Sequence, residues 1–473
     1  MLFNSLSFAI FLSLVFIVYW LLPHKCRWIC LLVASYYFYM GWNVECVVLI
    51  FITTIWSWLS AILIEKIKDT LKRKVVMGIS ILGLLVLLFI FKYFNFVFDS
   101  VTDVLKLFSI QMNSYTLQLI MPVGISYYTF QMIGYIVDVY RGEEAEKHFG
   151  RYAVFISFFP RLVSGPIERS KSFLPQLKES AKFDCEKAMY GLKLIGWGLL
   201  KKVVIADLLA GYVDSVYRDL SNYRGFSFLI VTFFYAIQIY CDFSGYSDVA
   251  IGSAKLLGID LIQNFVSPYF ATSVKEFWRK WHISLSMWFR DYLYIPLGGS
   301  RCGKLRHRIN IMVIFLVSGL WHGANWTFVL WGAVHGIAQI CEDIFSIRVK
   351  KVISIILTFL FCSWAWIFFR AKTIGDAFYI IKHSFDGLEK PLFYIKKGVE
   401  ALYLYLGMTN LVVLGVCIFV LGIYDYLSLK TDVILLLSKS SLIVRWIVYY
   451  AIGVLILVYG IQASSTEFIY FQF

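Results

Sequence analysis

The amino-acid sequence predicts an all-α polytopic membrane protein with about 11 transmembrane helices and additional re-entrant or interfacial helices. Of its 473 residues, 60% are hydrophobic, and the mean hydropathy of +0.73 is well above what the core of a soluble domain requires. Apolar stretches recur at about the 20 residues that a bilayer core demands. Only 16% of the residues are charged, and the excess of basic residues lies in short loops between these stretches.

Five apolar stretches occupy the first third of the chain. They cover residues 6–22, 28–43, 46–63, 76–97 and 117–137. No basic leader or small-residue cleavage site accompanies the first, so we expect a retained helix rather than a removable signal peptide. Loops that would share one side of the membrane hold ten Lys and Arg, and the opposite loops hold only Lys106. Because positive loops stay in the cytoplasm, the N-terminus is predicted outside, and the net charge of +14 reflects these loops rather than nucleic-acid binding.

The rest of the chain is less regular. Prolines, acidic residues and the pair Lys201-Lys202 interrupt the stretches 152–166, 190–213 and 226–251, and broken segments at membrane depth usually line a cavity. A run at 309–342 breaks at Ser318-Gly319 and fits two short helices or one kinked helix. Later spans are predicted at 352–369, 409–427 and 444–462. We predict one integral membrane domain, 1–473, divided into N-terminal spans (1–137), a catalytic core with re-entrant segments (138–345) and C-terminal spans (346–473).

His322 is the first candidate for chemistry, because it lies between apolar spans in the run Ser-Gly-Leu-Trp-His-Gly-Ala-Asn-Trp (318–326). Charged side chains at membrane depth cost about 2.5–3.5 kcal/mol on insertion scales, so ionisable groups there are functional candidates, and imidazole exchanges a proton near neutral pH. If the segment is helical, Asn325 and Trp326 share its face. A hydrogen bond between helices is the alternative role for His322.

His282 is the second candidate. The segment Lys275–Tyr294 mixes cationic and aromatic residues too densely for a lipid-facing span, which indicates an interfacial or re-entrant helix carrying His282 inward. An aromatic belt with snorkelling basic side chains would produce the same composition. His335 ranks below His282, because 13 residues place it roughly 140° from His322 on a continuous helix.

Asp242 ends an otherwise apolar stretch and shares a helical face with Gln238 at i, i+4. Its carboxylate could orient a histidine or bind a sugar hydroxyl. It could equally cap the helix or pair with Arg279 or Lys280. Acylation of Cys241 is disfavoured, because its apolar surroundings and the adjacent carboxylate both oppose a thiolate.

Several familiar catalytic patterns are absent from the sequence. It has no G-x-x-x-x-G-K-[ST] loop for nucleotide phosphates, no H-E-x-x-H and no G-x-S-x-G, and its nine cysteines show no paired Cys-x-x-Cys spacing. We therefore predict no metal site and no bound cofactor. Without a serine nucleophile motif or a metal motif, direct group transfer assisted by a general base is the simplest remaining chemistry.

Three motifs resemble the membrane-bound O-acyltransferase family. They are Trp-Arg-Lys-Trp-His-Ile-Ser-Leu-Ser (278–286), Arg-Asp-Tyr-Leu-Tyr-Ile-Pro-Leu-Gly-Gly (290–299) and Gly-Leu-Trp-His-Gly-Ala-Asn-Trp (319–326). The resemblance is to the bacterial polysaccharide branch, which includes enzymes of alginate O-acetylation and of teichoic acid D-alanylation, and it is closer to the former. It is specific from about residue 120 to 336.

This resemblance implies a ring of helices around a central tunnel that joins a cytoplasmic donor pocket to an outer acceptor funnel. The family's essential histidine falls on His322 and its second site position on His282. His322 would take the proton of the acceptor hydroxyl, and His282 would stabilise the oxyanion or position substrate. Further tunnel candidates, of lower priority, are Asp242, Gln238, Asn325, Trp326, Trp321, Trp278 and Ser286.

The resemblance also implies the reaction. We expect transfer of an acyl group, acetyl by the closer likeness, from a cytoplasmic thioester (acetyl-CoA or an acyl carrier protein) to a hydroxyl of an extracytoplasmic polysaccharide or to a partner protein. The partner would be a secreted or membrane-anchored acetyltransferase, and the location the bacterial cytoplasmic membrane. Three alternatives stay open: D-alanyl transfer to teichoic acid, a proton-coupled transporter or flippase, and an inactive scaffold.

Overall fold

The structure is a computed structural model that describes residues 1–110, 115–162, 165–345 and 349–462. Within these ranges every regular element is an α-, 3-10 or π-helix, which confirms the predicted all-α class. The chain divides into two compact units, residues 1–191 with 253–262 and residues 192–252 with 263–473. The predicted division at residues 137 and 345 stays a prediction.

The first unit is built around the buried helix Ile125–Tyr140, which packs against Val44–Lys66 and Thr70–Leu88. This central helix starts at Ile125 rather than near residue 117, because Gly124 before it adopts a left-handed conformation (φ 73°). A Cβ on Gly124 would lie 2.5 Å from the carbonyl oxygen of Leu162, so the close approach of these two segments requires glycine. The helices of this unit are α1 Leu6–Leu21, α2 His24–Met40, α3 Val44–Lys66, α4 Thr70–Leu88, α5 Phe94–Leu107, α6 Ile125–Tyr140, α7 Phe149–Ser157, α8 Phe159–Leu162 and α9 Ser170–Lys178, with the π-helix Phe89–Tyr93 between α4 and α5.

The second unit contains the segments that were predicted to carry chemistry. A continuous helical run enters it through α10 (Cys185–Leu199), the π-helix Leu200–Ala206 and α11 (Asp207–Arg218). The remaining α-helices are α12 Phe226–Leu256, α13 Val274–Lys280, α14 Ile283–Phe289, α15 Lys304–His322, α16 Trp326–Phe345, α17 Lys351–Arg370, α18 Ile374–His383, α19 Pro391–Ser428, α20 Val433–Lys439 and α21 Leu442–Gln462. Short 3-10 turns lie at Leu220–Asn222 and Pro268–Phe270, a second π-helix lies at Arg290–Tyr294, and Gly407 kinks α19.

The stretch 309–342 forms two helices, α15 and α16, and the break falls after His322 rather than at Ser318-Gly319. Gly319 does not break its helix but serves packing: a Cβ there would lie 2.2 Å from the carbonyl oxygen of Phe328 on α16. Gly332 on α16 would meet the carbonyl oxygen of Phe315 on α15 at the same distance. The two helices therefore pack backbone against backbone, an arrangement that small residues permit in membrane proteins.

Seven helices among the described residues are long and apolar enough to cross a membrane, which confirms the polytopic prediction. They cover Val44–Lys66, Thr70–Leu107, Phe226–Leu256, Trp326–Phe345, Lys351–Arg370, Pro391–Ser428 and Leu442–Gly460. Three other stretches predicted as spans, at 6–22, 28–43 and 117–137, correspond to the shorter helices α1, α2 and α6 of 16, 17 and 16 residues.

Candidate active site

His322 is the last residue of α15 and lies in an aromatic enclosure. Its side chain is buried, with 3% of its surface exposed. Three rings face the imidazole edge to face, those of Trp321, Trp331 and Phe369, with centroids 5.0, 5.1 and 5.3 Å away. The helix ends at Gly323, where a Cβ would collide with the ring of Phe328 at 2.1 Å. The imidazole is thus held at a helix end inside an apolar, water-poor environment.

His282 lies between α13 and α14, outside the long apolar helices, and is fully buried. Its backbone is left-handed (φ 43°, ψ 55°), a conformation that is uncommon without glycine and is often found at functional sites. Backbone hydrogen bonds from Ile283 N to Asn264 O (3.0 Å) and from Ser286 N to His282 O (3.1 Å) hold this conformation. Burial lowers the pKa of His282 to about 3, so the imidazole is neutral at physiological pH.

Trp321 connects the two histidines. Its indole centroid lies 6.0 Å from the imidazole of His282 and 5.0 Å from that of His322. The sequence separates these histidines by 40 positions, and the structure places both of them against the same ring. Phe243 of α12 packs on His282 from another direction, at 4.7 Å.

Trp278 belongs to a neighbouring aromatic cluster. Its indole N–H donates to Nδ1 of His335 at 3.3 Å, and its ring contacts that of Trp331, which also contacts His322. His335 is fully buried and accepts this hydrogen bond, so it supports the packing of Trp278.

Asp242 is paired, and its partner is Lys202 rather than Arg279 or Lys280. Lys202 Nζ, in the π-helix, lies 2.6 Å from Asp242 Oδ1 and 2.9 Å from Asp207 Oδ1. Lys280 instead pairs with Glu276 on its own helix, at 2.7 Å.

A second ion pair lies beside the first, in which Nζ of the buried Lys201 lies 2.7 Å from the half-buried Asp248 and 2.9 Å from the hydroxyl of Ser244. Buried charges of this kind persist because each has a partner of opposite sign. Sequence reasoning treated the two lysines as an interruption of an apolar stretch and missed this network. Gln238 is buried on the same helix as Asp242, and its Oε1 has no hydrogen-bond partner among the described residues.

The remaining candidates lie at the edges of this region. Asn325 caps α16: its Oδ1 accepts from Thr327 N at 3.0 Å, and its Nδ2 donates to the carbonyl of Lys372 at 3.1 Å. Trp326 is 54% exposed. Because α15 ends at His322, these two residues do not continue its helical face. Ser286 is half-buried on α14, and its backbone N–H donates to the carbonyl of His282.

Asn264 is a site residue that the sequence analysis missed. It is fully buried, and its side-chain Oδ1 lies 3.1 Å from His282 Nδ1. It stands 18 residues before the histidine in an irregular segment, and nothing in the spacing marks it. Only the folded chain brings the two together.

Two further features bear on what the site could hold. Among the residues that the structure describes, no three His, Cys, Asp or Glu side chains converge as metal ligands. A cavity of about 680 Å³ opens where α13 begins and α16 ends. Its lining includes neither His282 nor His322. Its polar lining side chains include Thr272, Lys275, His307, Gln339, Glu342 and Thr358.

Comparisons with known proteins place this region in a family. The model of the MBOAT, membrane-bound O-acyltransferase family, matches residues 148–372, the range that contains His282, His322 and Asn264. A probable alginate O-acetylase of Pseudomonas aeruginosa is 36% identical over 395 residues, which cover 82% of this chain and 75% of the relative. A peptidoglycan O-acetyltransferase of Helicobacter pylori is 33% identical over 386 residues, 74% of this chain and 72% of the relative. A teichoic acid D-alanyltransferase of Streptococcus thermophilus is 32% identical over 245 residues, 49% of this chain and 59% of the relative.

Proposed function

Because the chain belongs to the membrane-bound O-acyltransferase family and is an O-acyltransferase, we propose that it moves an acetyl group from a cytoplasmic thioester to an extracytoplasmic hydroxyl. The donor is acetyl-CoA or an acetylated carrier protein. The acceptor is a hydroxyl of a polysaccharide, or a secreted or membrane-anchored partner that completes the transfer. Acetyl is favoured over D-alanyl because the relatives named for O-acetylation match far more of this chain than the one named for D-alanylation.

The observation that carries this proposal is the placement of His322 and His282 against Trp321 in a buried aromatic site. His322 acts as the general base. It takes the proton of the acceptor hydroxyl while the oxygen attacks the thioester carbonyl. A C–O bond forms, the C–S bond breaks, and the leaving thiolate takes up the proton from His322 to depart as the thiol. The aromatic enclosure excludes water, which would otherwise compete with the hydroxyl for the thioester.

The orientation follows from the loop charges. We place the chain in the bacterial cytoplasmic membrane with its N-terminus outside, because the basic loops between the N-terminal helices would then face the cytoplasm.

The test is acetyl transfer in proteoliposomes that receive labelled acetyl-CoA on one side and an acidic polysaccharide on the other. We expect labelled ester on the polysaccharide with the wild-type protein and a fall of about 10²- to 10⁴-fold for His322→Ala, since that is the usual contribution of a general base. His383→Ala, on α18 and paired with Asp386, is the control and should retain activity. Substantial transfer by a correctly inserted His322→Ala would refute the role of His322.

The same assay separates the competing functions. A D-alanylated carrier protein offered in place of acetyl-CoA should give no transfer. Movement of substrate across the bilayer without a new ester would instead indicate a transporter. Transfer that requires a second protein but does not depend on His322 would indicate a scaffold.

A further inference from the structure

Asn264 holds both the backbone and the side chain of the His282 segment. Its backbone carbonyl accepts from Ile283 N at 3.0 Å. Its side-chain Oδ1 lies 3.1 Å from His282 Nδ1, 2.9 Å from Ser284 Oγ and 3.3 Å from Ser284 N. Asn264 and His282 are both fully buried, so these contacts are made away from bulk water. The side-chain oxygen of Asn264 therefore has three contacts, one with His282 and two with Ser284.

The geometry identifies which atom of the amide faces the histidine. The backbone N–H of Ser284 can only donate, so the atom it faces must be the amide oxygen and not the amide nitrogen. Nδ2 of Asn264 has no hydrogen-bond partner among the described residues. No contact there therefore favours an amide with its oxygen and nitrogen exchanged. Because an amide oxygen only accepts, Nδ1 of a neutral His282 must carry the proton, and its Nε2 must carry the lone pair.

We propose that Asn264 is a positioning residue for acyl transfer, which keeps His282 in the Nδ1–H tautomer so that Nε2 accepts a hydrogen bond from bound substrate. This inference rests on the proposed function. It decides between the two roles that the sequence left open for His282: a neutral imidazole with its lone pair at Nε2 cannot donate from that atom to an oxyanion, so His282 orients substrate and another group stabilises the oxyanion.

The tautomer can be measured without any transfer reaction. We would label the histidine rings with ¹⁵N, record solid-state NMR spectra of the full chain in lipid bilayers, and assign the His282 signals by their loss in His282→Gln. A protonated Nδ1 and an unprotonated Nε2 are expected at pH 7. A protonated Nε2 beside an unprotonated Nδ1 would overturn the proposal, whether or not the protein transfers acetyl.

Variants of Asn264 test the effect on the reaction. Asn264→Leu keeps the side-chain volume but removes the acceptor oxygen, and we expect transfer to fall about 10- to 100-fold, as it does when other histidine-orienting groups are removed. Asn264→Asp restores an acceptor and should recover much of this loss. Its carboxylate favours the imidazolium, so it raises the pKa of His282, which a pH titration of the ¹⁵N signals of this ring would report.

Asn310→Leu is the matched control, because Asn310 also has a buried side-chain amide. This amide donates to the carbonyls of Leu297 and Gly299 and not to His282 or His322. The Asn310→Leu variant should leave the pKa and the ¹⁵N signals of His282 unchanged. Equal transfer by wild type and Asn264→Leu would refute the proposal. If the leucine variant does not fold, an unchanged pKa of His282 in Asn264→Asp, followed by its ¹⁵N signals, would refute it as well. Absence of transfer by the wild type would refute the proposed function, and the NMR result would still stand.

Discussion

At the scale of single residues, the candidate site is a pair of imidazoles with aromatic rings packed against both, and His282 also contacts the side chain of Asn264. Trp331 and Phe369 cover His322 from α16 and α17, and Trp321 lies between His322 and His282. Aromatic walls exclude water and strengthen the electrostatic interactions inside the site. Such an enclosure suits a reaction in which a thioester must meet a hydroxyl and avoid water.

A smaller side chain at Phe369 should let water reach the thioester. Phe369→Leu removes ring volume beside His322, and we expect the ratio of free acetate to transferred acetyl to rise several-fold at a cost of about 1–2 kcal/mol in stability. The measurement is acetate release and ester formation in the same proteoliposomes. Phe361→Leu, on the same helix but against His335, is the control. An unchanged ratio in Phe369→Leu would show that the enclosure does not control water access.

At the scale of elements, α15 and α16 position His322 through the contact of their backbones. Gly319 and Gly332 each face a carbonyl oxygen of the other helix so closely that no Cβ fits. His322 follows Gly319 by three residues, so any separation of the two helices displaces the imidazole. The π-helix Leu200–Ala206 has a different role: it turns Lys201 and Lys202 toward the carboxylates of Asp248 and Asp242.

Gly332→Ala should therefore impair catalysis without touching a catalytic group. The added methyl forces α15 and α16 apart, and we expect transfer to fall by up to about 100-fold, because a displacement of about 1 Å can cost that much. Thermal unfolding should shift to lower temperature. Gly415→Ala on α19 has open space around its Cβ position and should leave both quantities unchanged. Full activity of Gly332→Ala would show that the close contact does not position the histidine.

At the scale of the whole molecule, the charge pattern and the long apolar helices describe a chain built for a bilayer. Beyond the first turn of α4, this helix exposes apolar side chains such as Leu82 (61% exposed), and α21 exposes Leu457 (66%). Lys68, in the loop before α4, and Asp103, near the end of the helical run that follows, are both exposed. Lys68 lies just before the 38-residue span Thr70–Leu107, and Asp103 lies near the end of that span.

The proposed orientation can be tested at these two positions. In a cysteine-free background, Asp103→Cys should react with a membrane-impermeant maleimide added to intact spheroplasts. Lys68→Cys should react only after permeabilisation, because its basic loop faces the cytoplasm in the proposed orientation. The reverse pattern would place the N-terminus inside and refute the proposed orientation.

Sequence patterns alone predicted the class of the protein and singled out His282 and His322 as candidates among its seven histidines. Hydropathy is a local property summed over about 20 residues, so it predicts membrane spans without knowledge of their packing. The motifs around His282 and His322 are likewise contiguous in the chain. Both kinds of signal can be read before the chain is folded.

The arrangement of these groups depends on how the chain folds. Folding ends α15 after His322, pairs Asp242 with Lys202 instead of a cation near His282, and places Trp321 between the two histidines. It also brings Asn264 against His282, which determines where the imidazole carries its proton. Buried polar groups need hydrogen-bond or ion-pair partners, and here these partners come from segments that are distant in the sequence. The spacing of residues along the chain does not predict such pairs.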